Sequence, residues 1–250
     1  ADVFPFPSIS FPCNSETTMT DAPQTIADET INLTAADGHS FEAFHAAPKG
    51  ASKGGLVILQ EIFGITDQLK GVARAYARDG YDTIIPAVFD RVKPGTVFGF
   101  DQAEPGRDMA YGLLLDKVML DVDAAAARVQ SNRGVSVLGF CWGGGVIIRA
   151  AAELDLRGAI AFYGTRLPTY LDNKPKCPLL FHYAKTDPNS TPEIIEQVRK
   201  AYPRAETHIY DAGHAFANDA RPVYNEACTK VARMRTLDFL GRQHQAATKH

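Results

Sequence analysis

The most constraining stretch of the chain is Val135 to Ala150, Val-Ser-Val-Leu-Gly-Phe-Cys-Trp-Gly-Gly-Gly-Val-Ile-Ile-Arg-Ala. Val135, Val137 and Leu138 close a β-branched run that reads as a buried strand, and Val146 to Ala152 reads as the beginning of a helix. Between them lies Gly139-Phe140-Cys141-Trp142-Gly143, the G-x-nucleophile-x-G spacing of a strand-to-helix elbow, with cysteine where serine is commoner. A strand that turns at once into a helix strains its central residue and presses the positions two away closely together, which glycine tolerates. Such a turn lifts the Cys141 sulfur off the sheet and aims the first helical amides at whatever the sulfur attacks. A developing oxyanion then meets N–H donors and a positive helix end, and a thiolate gains from the same field. On these residues alone a buried structural cysteine is the alternative. Gly143-Gly144-Gly145 has neither the Lys-Ser/Thr ending of a nucleotide loop nor the G-x-G-x-x-G spacing of a dinucleotide site.

A chain of 250 residues with 45% hydrophobic content is long enough for one α/β core, and no break in composition suggests a second. A net charge of -3 gives no basic stripe for nucleic acid and no polybasic membrane patch. No apolar run approaches the roughly 20 residues of a membrane span. Cys13, Cys141, Cys177 and Cys228 are widely spaced, without a C-x-x-C pair or the Cys-His spacing of a structural zinc, so no metal is expected and a reducing cytoplasm is the simpler setting. Residues 1–18, with Phe4-Pro5-Phe6-Pro7 and Phe11-Pro12-Cys13, show neither the basic n-region nor the apolar h-region of a secretory signal. Met19 before Thr-Asp-Ala-Pro resembles a natural start. Residues 1–18 are therefore expected to be an upstream extension or added leader, and 19–250 one domain.

Glu29 to Thr34 and Ser40 to His45 alternate around Asp37-Gly38 and predict an edge hairpin. Leu56 to Leu59 is a continuous apolar run, as in a strand covered on both faces. It exits into Gln60-Glu61-Ile62-Phe63-Gly64. Open α/β sheets place ligands at the carboxyl ends of their strands, so Glu61 and Cys141 are expected on one sheet edge, although a solvated loop acid reads equally well. The Ile62 amide is the candidate second oxyanion donor beside Trp142. Thr66 to Arg78 predicts a helix capped by Thr66 and closed by Gly80, and Tyr81 to Ala87 the next strand. Phe89 to Glu104 is a long aperiodic stretch, a kind that is often functional. Arg107 and Tyr111 share a helix face, and without further information a surface ion pair and a packed ring account for them. A second amphipathic helix is expected over 116–130. Strands are expected over 157–163, 178–183 and 206–210, with a helix over 192–201. A last helix from Arg221 to Arg242 is expected to bury Val223, Ala227, Val231, Met234 and Leu237. The alternation predicts a mostly parallel central sheet with helices on both faces.

Asp187 follows the strand expected over 178–183, where a turn-former before proline is the plainer role. His214, between Gly213 and Ala215, follows the last strand. His45, His182 and His208 lie within strands and read as structural, His39 as a turn residue, and His244 and His250 as tail residues. The order Cys141, Asp187, His214 is that of an α/β-hydrolase triad, in which Cys141 attacks, His214 moves the proton and Asp187 fixes its tautomer.

The chain resembles the dienelactone hydrolase family, through Gln60-Glu61-Ile62-Phe63-Gly64, Gly139-Phe140-Cys141-Trp142-Gly143-Gly144, Phe181-His182-Tyr183-Ala184-Lys185-Thr186-Asp187, Gly213-His214-Ala215-Phe216 and Arg235 to Leu240, over about residues 25–242. The resemblance implies a single α/β-hydrolase domain that opens unsaturated lactones through a cysteine, with no cofactor. It also implies that Glu61 contacts the resting thiol and takes its proton when substrate arrives, and that the amides of Ile62 and Trp142 bind the oxyanion. Arg107 and Tyr111 match the family's substrate-carboxylate contacts. A second family arginine, four residues after the histidine, is replaced by Asn218, with Arg221 three residues further on. The substrate is accordingly expected to be a small lactone or ester, met by Arg107, Tyr111, Asn218 and Phe63 in a pocket with Trp142, Phe89, Phe98 and Phe100. No nucleic-acid or membrane partner is expected, and the protein is expected to be a monomer or weak homodimer. A general carboxylesterase, arylesterase or promiscuous phosphotriesterase on the same triad is the alternative, and a non-catalytic binding protein the remaining one.

Overall fold

The structure, a computed structural model, describes residues 23–245; the expectation for residues 1–18, Cys13 and His250 lie outside the described residues. The hairpin forms as expected: β1 (Ile26–Thr34) and β2 (Ser40–Pro48) pair antiparallel around Gly38, whose φ of +82° suits a residue without Cβ. β3 (Gly55–Leu59) is buried along its whole length. It leads to α1 (Asp67–Arg78), whose N-cap Thr66 accepts a hydrogen bond from the Leu69 amide at 3.2 Å. β4 (Asp82–Pro86) follows. The long aperiodic stretch begins with a short 3-10 turn over Val88–Arg91, and α2 (Ala103–Gly112) starts four residues earlier than Arg107. Then come α3 (Leu115–Arg128), β5 (Val135–Phe140), α4 (Trp142–Glu153), β6 (Ala159–Phe162), β7 (Leu179–Ala184), α5 (Pro192–Ala201), β8 (Glu206–Tyr210) and α6 (Glu226–Gln245).

The eight strands form one sheet in the order β1-β2-β4-β3-β5-β6-β7-β8, parallel from β4 to β8. Alternation along each strand divides the core in two. Val57, Leu59, Val135 and Val137 face α3, α4 and α5, while Leu56, Ile58, Leu138 and Phe140 face α1 and α6. Leu59 pairs with Gly139 and Gly139 with Ala161, so the carboxyl ends of β3, β5 and β6 finish level with one another. No helix among the described residues is long and apolar enough to cross a membrane.

The last helix corrects an expectation. It begins at Glu226 rather than Arg221 and buries Cys228, Ala232, Thr236, Phe239, Leu240 and His244. Val223 is exposed, and Val231 and Leu237 are only partly buried. The helix turns a more polar face inward because the sheet supplies partners. The Thr236 hydroxyl lies 2.9 Å from His182 Nε2, and His182 Nδ1 lies 2.8 Å from the Tyr210 hydroxyl. His244 is likewise no tail residue: it is buried, with Nε2 3.1 Å from Ser136 Oγ and Nδ1 3.0 Å from the Arg133 carbonyl. Burial holds the rings of His182 and His244 below the ordinary imidazole range, in keeping with neutral structural roles.

Candidate active site

The elbow turns tighter than expected. Cys141 takes φ 54° and ψ -114°, and α4 begins at the next residue, so the three glycines make its first turn instead of preceding it. Glycine is a poor helix former, but here the backbones must touch. A Cβ on Gly143 would stand 2.6 Å from the Gln60 carbonyl oxygen, and one on Gly139 2.2 Å from that of Gly143. The Gly143 amide donates to the Gln60 carbonyl at 3.1 Å, and the Cys141 amide to that of Phe162 at 3.0 Å. The helix start is thereby pinned between β3 and β6. The amides of Ile62 and Trp142 donate to no other described residue, which leaves two N–H groups at the ends of adjacent strands.

Cys141, Asp187 and His214 converge although they come from three separate loops. His214 Nδ1 lies 2.6 Å from Asp187 Oδ2, and His214 Nε2 3.2 Å from the Cys141 sulfur. The other Asp187 oxygen accepts from the Asn189 amide at 2.8 Å and its side-chain nitrogen at 3.0 Å. Burial would raise the Asp187 carboxyl, but these bonds, His214's first, hold it below the ordinary carboxylate range. Burial disfavours charge on His214 as well, yet Asp187 and then Cys141 pull its ring up to about 10. The arrangement can therefore hold a proton on the imidazole opposite a sulfur at neutral pH, and return it to a leaving group.

Glu61 is buried beside this centre. Its Oε2 accepts from Asn218 Nδ2 at 3.0 Å, and the Tyr163 hydroxyl acts on the same carboxyl. Burial pushes the carboxyl up, with His214, Asn218 and Arg221 acting in the opposite direction. Among the described residues the hydrogen bond of the Cys141 sulfur is to His214 Nε2, and that of Glu61 Oε2 is from Asn218. Asn218, expected to touch substrate, is itself buried, with its amide committed to Glu61 and to the Ala220 amide.

Around this centre, Phe63 is buried and meets Phe100 edge-on at 5.0 Å, which places it in the core rather than open to substrate. Phe89 is likewise buried, against Phe98. Arg107 and Tyr111 project from the exposed face of α2, a helix that Gly106 seats against the Ile62 carbonyl. The Arg166 guanidinium lies 4.6 Å from the Tyr111 ring centre, and Arg221 5.7 Å from that of Phe63. Two contributors escaped sequence reasoning. Tyr163 is buried edge-on to His214 at 5.2 Å, and Arg166 sits in a left-handed conformation. Both follow the end of β6, where the rule that singled out Glu61 also applies.

Comparisons with known proteins bear on the family and the fold. Residues 41–244 match the model of the dienelactone hydrolase family. Carboxymethylenebutenolidase of Pseudomonas putida is 33% identical over 226 residues, covering 85% of this chain and 95% of that protein. Carboxymethylenebutenolidase 1 of Cupriavidus pinatubonensis is 30% identical, covering 84% and 95%. A crystal structure from Klebsiella pneumoniae, provisionally named a dienelactone hydrolase, superposes with a TM-score of 0.77 at 25% identity, covering 88% of this chain and all of that one. With a parallel sheet, an elbow cysteine and a match that spans nearly the whole fold, the chain belongs to the dienelactone hydrolase family, α/β-hydrolase-fold enzymes that cleave ester or lactone bonds.

Proposed function

We propose that the protein opens the ring of a carboxymethylenebutenolide-type lactone by covalent catalysis, with Cys141 as nucleophile, His214 as proton carrier and Asp187 as its orienting acid. The observation that carries this reading is the continuous contact from Asp187 through His214 to the Cys141 sulfur, at 2.6 and 3.2 Å.

Cys141 attacks the lactone carbonyl as a thiolate, and the tetrahedral oxyanion is received by the amides of Ile62 and Trp142. Collapse breaks the ring carbon–oxygen bond, and His214 gives its proton to the departing oxygen. Water, deprotonated by His214, then releases the acid from the thioester and regenerates the thiolate. Asp187 remains ionised throughout and keeps Nε2 aimed at the sulfur. The lactone class is supported by the names of the relatives and by two cations in this region. Among the described residues neither Arg107 nor Arg221 forms an ion pair within 4 Å of a carboxylate, although the charge of Arg221 acts on Glu61, so both guanidinium groups have donors left for an anionic substrate group.

The test is kcat/KM for a dienelactone and for neutral p-nitrophenyl acetate. Cys141→Ala and His214→Ala should abolish both activities. Arg107→Ala and Arg221→Ala should lower the dienelactone value by about 10- to 100-fold, the strength of a charge-assisted hydrogen bond, and leave the neutral ester unaffected. Equal losses on both substrates would remove the anionic lactone from the reading.

A further inference from the structure

Arg166 occupies a backbone position that favours glycine. It takes φ 56° and ψ 23°, a left-handed conformation that crowds any residue with a Cβ. The chain is fixed there from both sides. The Thr165 amide donates to the Cys141 carbonyl at 3.0 Å, and the Arg166 carbonyl accepts from the Thr169 amide at 2.9 Å and the Thr169 hydroxyl at 2.8 Å, opening a short 3-10 turn over Leu167–Tyr170. Arg166 thus stands one residue beyond a group bonded to the nucleophile elbow.

Its side chain is exposed, with the guanidinium 4.6 Å from the centre of the Tyr111 ring on α2. Arg166 and Tyr111 both act on the buried Tyr170 hydroxyl, so the two sit together over the 3-10 turn. Among the described residues no carboxylate lies within 4 Å of this guanidinium. Attraction to a ring face commits no N–H to an oxygen, so the planar fork of donors is still available. α2 is seated through Gly106 on the Ile62 carbonyl, so the Arg166–Tyr111 contact joins a wall anchored at Ile62 to a turn anchored at Cys141. Arg107 lies one helical turn before Tyr111 on the same face, which gathers two guanidinium groups about one phenol. A backbone outlier kept at such a place points to a use for its side chain.

We propose that Arg166 is a specificity-determining residue that receives the carboxylate of the substrate, its guanidinium held ready by the Tyr111 ring. The inference rests on the reading of an anionic lactone or ester cleaved at Cys141. It gives Arg107 a partner cation from the exit of β6, where the amide of Asn218 is committed to Glu61. A fork fixed before binding gives up less freedom when the carboxylate arrives.

The experiment compares kcat/KM for p-nitrophenyl hydrogen glutarate, which carries a carboxylate, with that for its neutral methyl ester, in wild type, Arg166→Gly, Arg107→Ala and Cys141→Ala. Glycine takes this backbone without strain, so Arg166→Gly keeps the turn. Wild type should prefer the anionic ester. Arg166→Gly should lower that preference about tenfold, the strength of a charge-assisted hydrogen bond, with the loss in KM rather than kcat. A preference in Arg166→Gly within about twofold of wild type would overturn the role of Arg166, and a fall in Arg107→Ala alone would leave the anionic-substrate reading standing without it. A wild type that does not discriminate would overturn that reading and this one together, and activity surviving in Cys141→Ala would instead remove the nucleophile.

Discussion

Oxygen in place of sulfur at position 141 would keep the elbow and its amides but lose the easily ionised nucleophile, so Cys141→Ser should lower kcat at least about a thousandfold with the fold intact by circular dichroism. The His214–Asp187 contact has a consequence in stability as well as in rate. The His214 ring is pulled up to about 10 from an ordinary 6.5. The charged ring is therefore favoured in the folded chain, and that stabilisation is complete below about 6.5 and lost as pH rises to about 10. Thermal unfolding scans should show the melting temperature falling over this window, and Asp187→Asn should flatten the fall while lowering kcat. A slope unchanged in that variant would separate the pair from the stability. At this scale much of the site was legible, because Cys141, Asp187 and His214 each sit next to a local signal: an elbow, a strand end and a glycine-flanked loop. The Asn218–Glu61 contact was not, since the two are 157 positions apart and neither has a spacing that points to the other.

Elements matter here through where they begin. The first turn of α4 is pressed on the Leu59-Gln60 backbone, so Gly143→Ala forces a shift of the helix start away from β3. Overpacking of this kind costs about 1–3 kcal/mol. The same shift moves the Trp142 amide relative to Ile62, so kcat should fall further than the denaturation midpoint suggests. A variant that loses stability alone would detach the oxyanion donors from the elbow. Sequence periodicity placed the strands and most helices within a few residues, but it started α4 late, because a run of glycines reads as a loop unless its packing partner is known. It also misplaced the inward face of α6, where buried polar groups answer partners on distant strands. Apolar periodicity carries no signal for Thr236 opposite His182.

For the molecule as a whole, α6 is a strap laid across one face of the sheet from β7 to β5. Through Thr236 it grips β7, and through His244 it reaches Ser136 on β5, where Gly54 leaves room for the ring. Thr236→Val leaves the buried His182 ring nitrogen without its partner and should cost about 1–3 kcal/mol in urea unfolding, with turnover of the remaining folded enzyme unchanged. A cost within error of zero would show that His182 finds another partner. The mostly parallel sheet with helices on both faces followed directly from the alternation of strand and helix signals, whereas the strap's polar grip needed coordinates.

Among the described residues, the non-glycine positions with positive φ are Cys141, Tyr163, Arg166 and Ala215, and every one lies at or beside the catalytic centre. Residues in such conformations cost of order 1–3 kcal/mol each. Protein engineers seeking a hardier catalyst will find their easiest gains in that quartet, and there each degree of heat tolerance is set against turnover. Hardening is better sought in the hairpin and the outer helices, which carry none of the torsion that the chemistry uses.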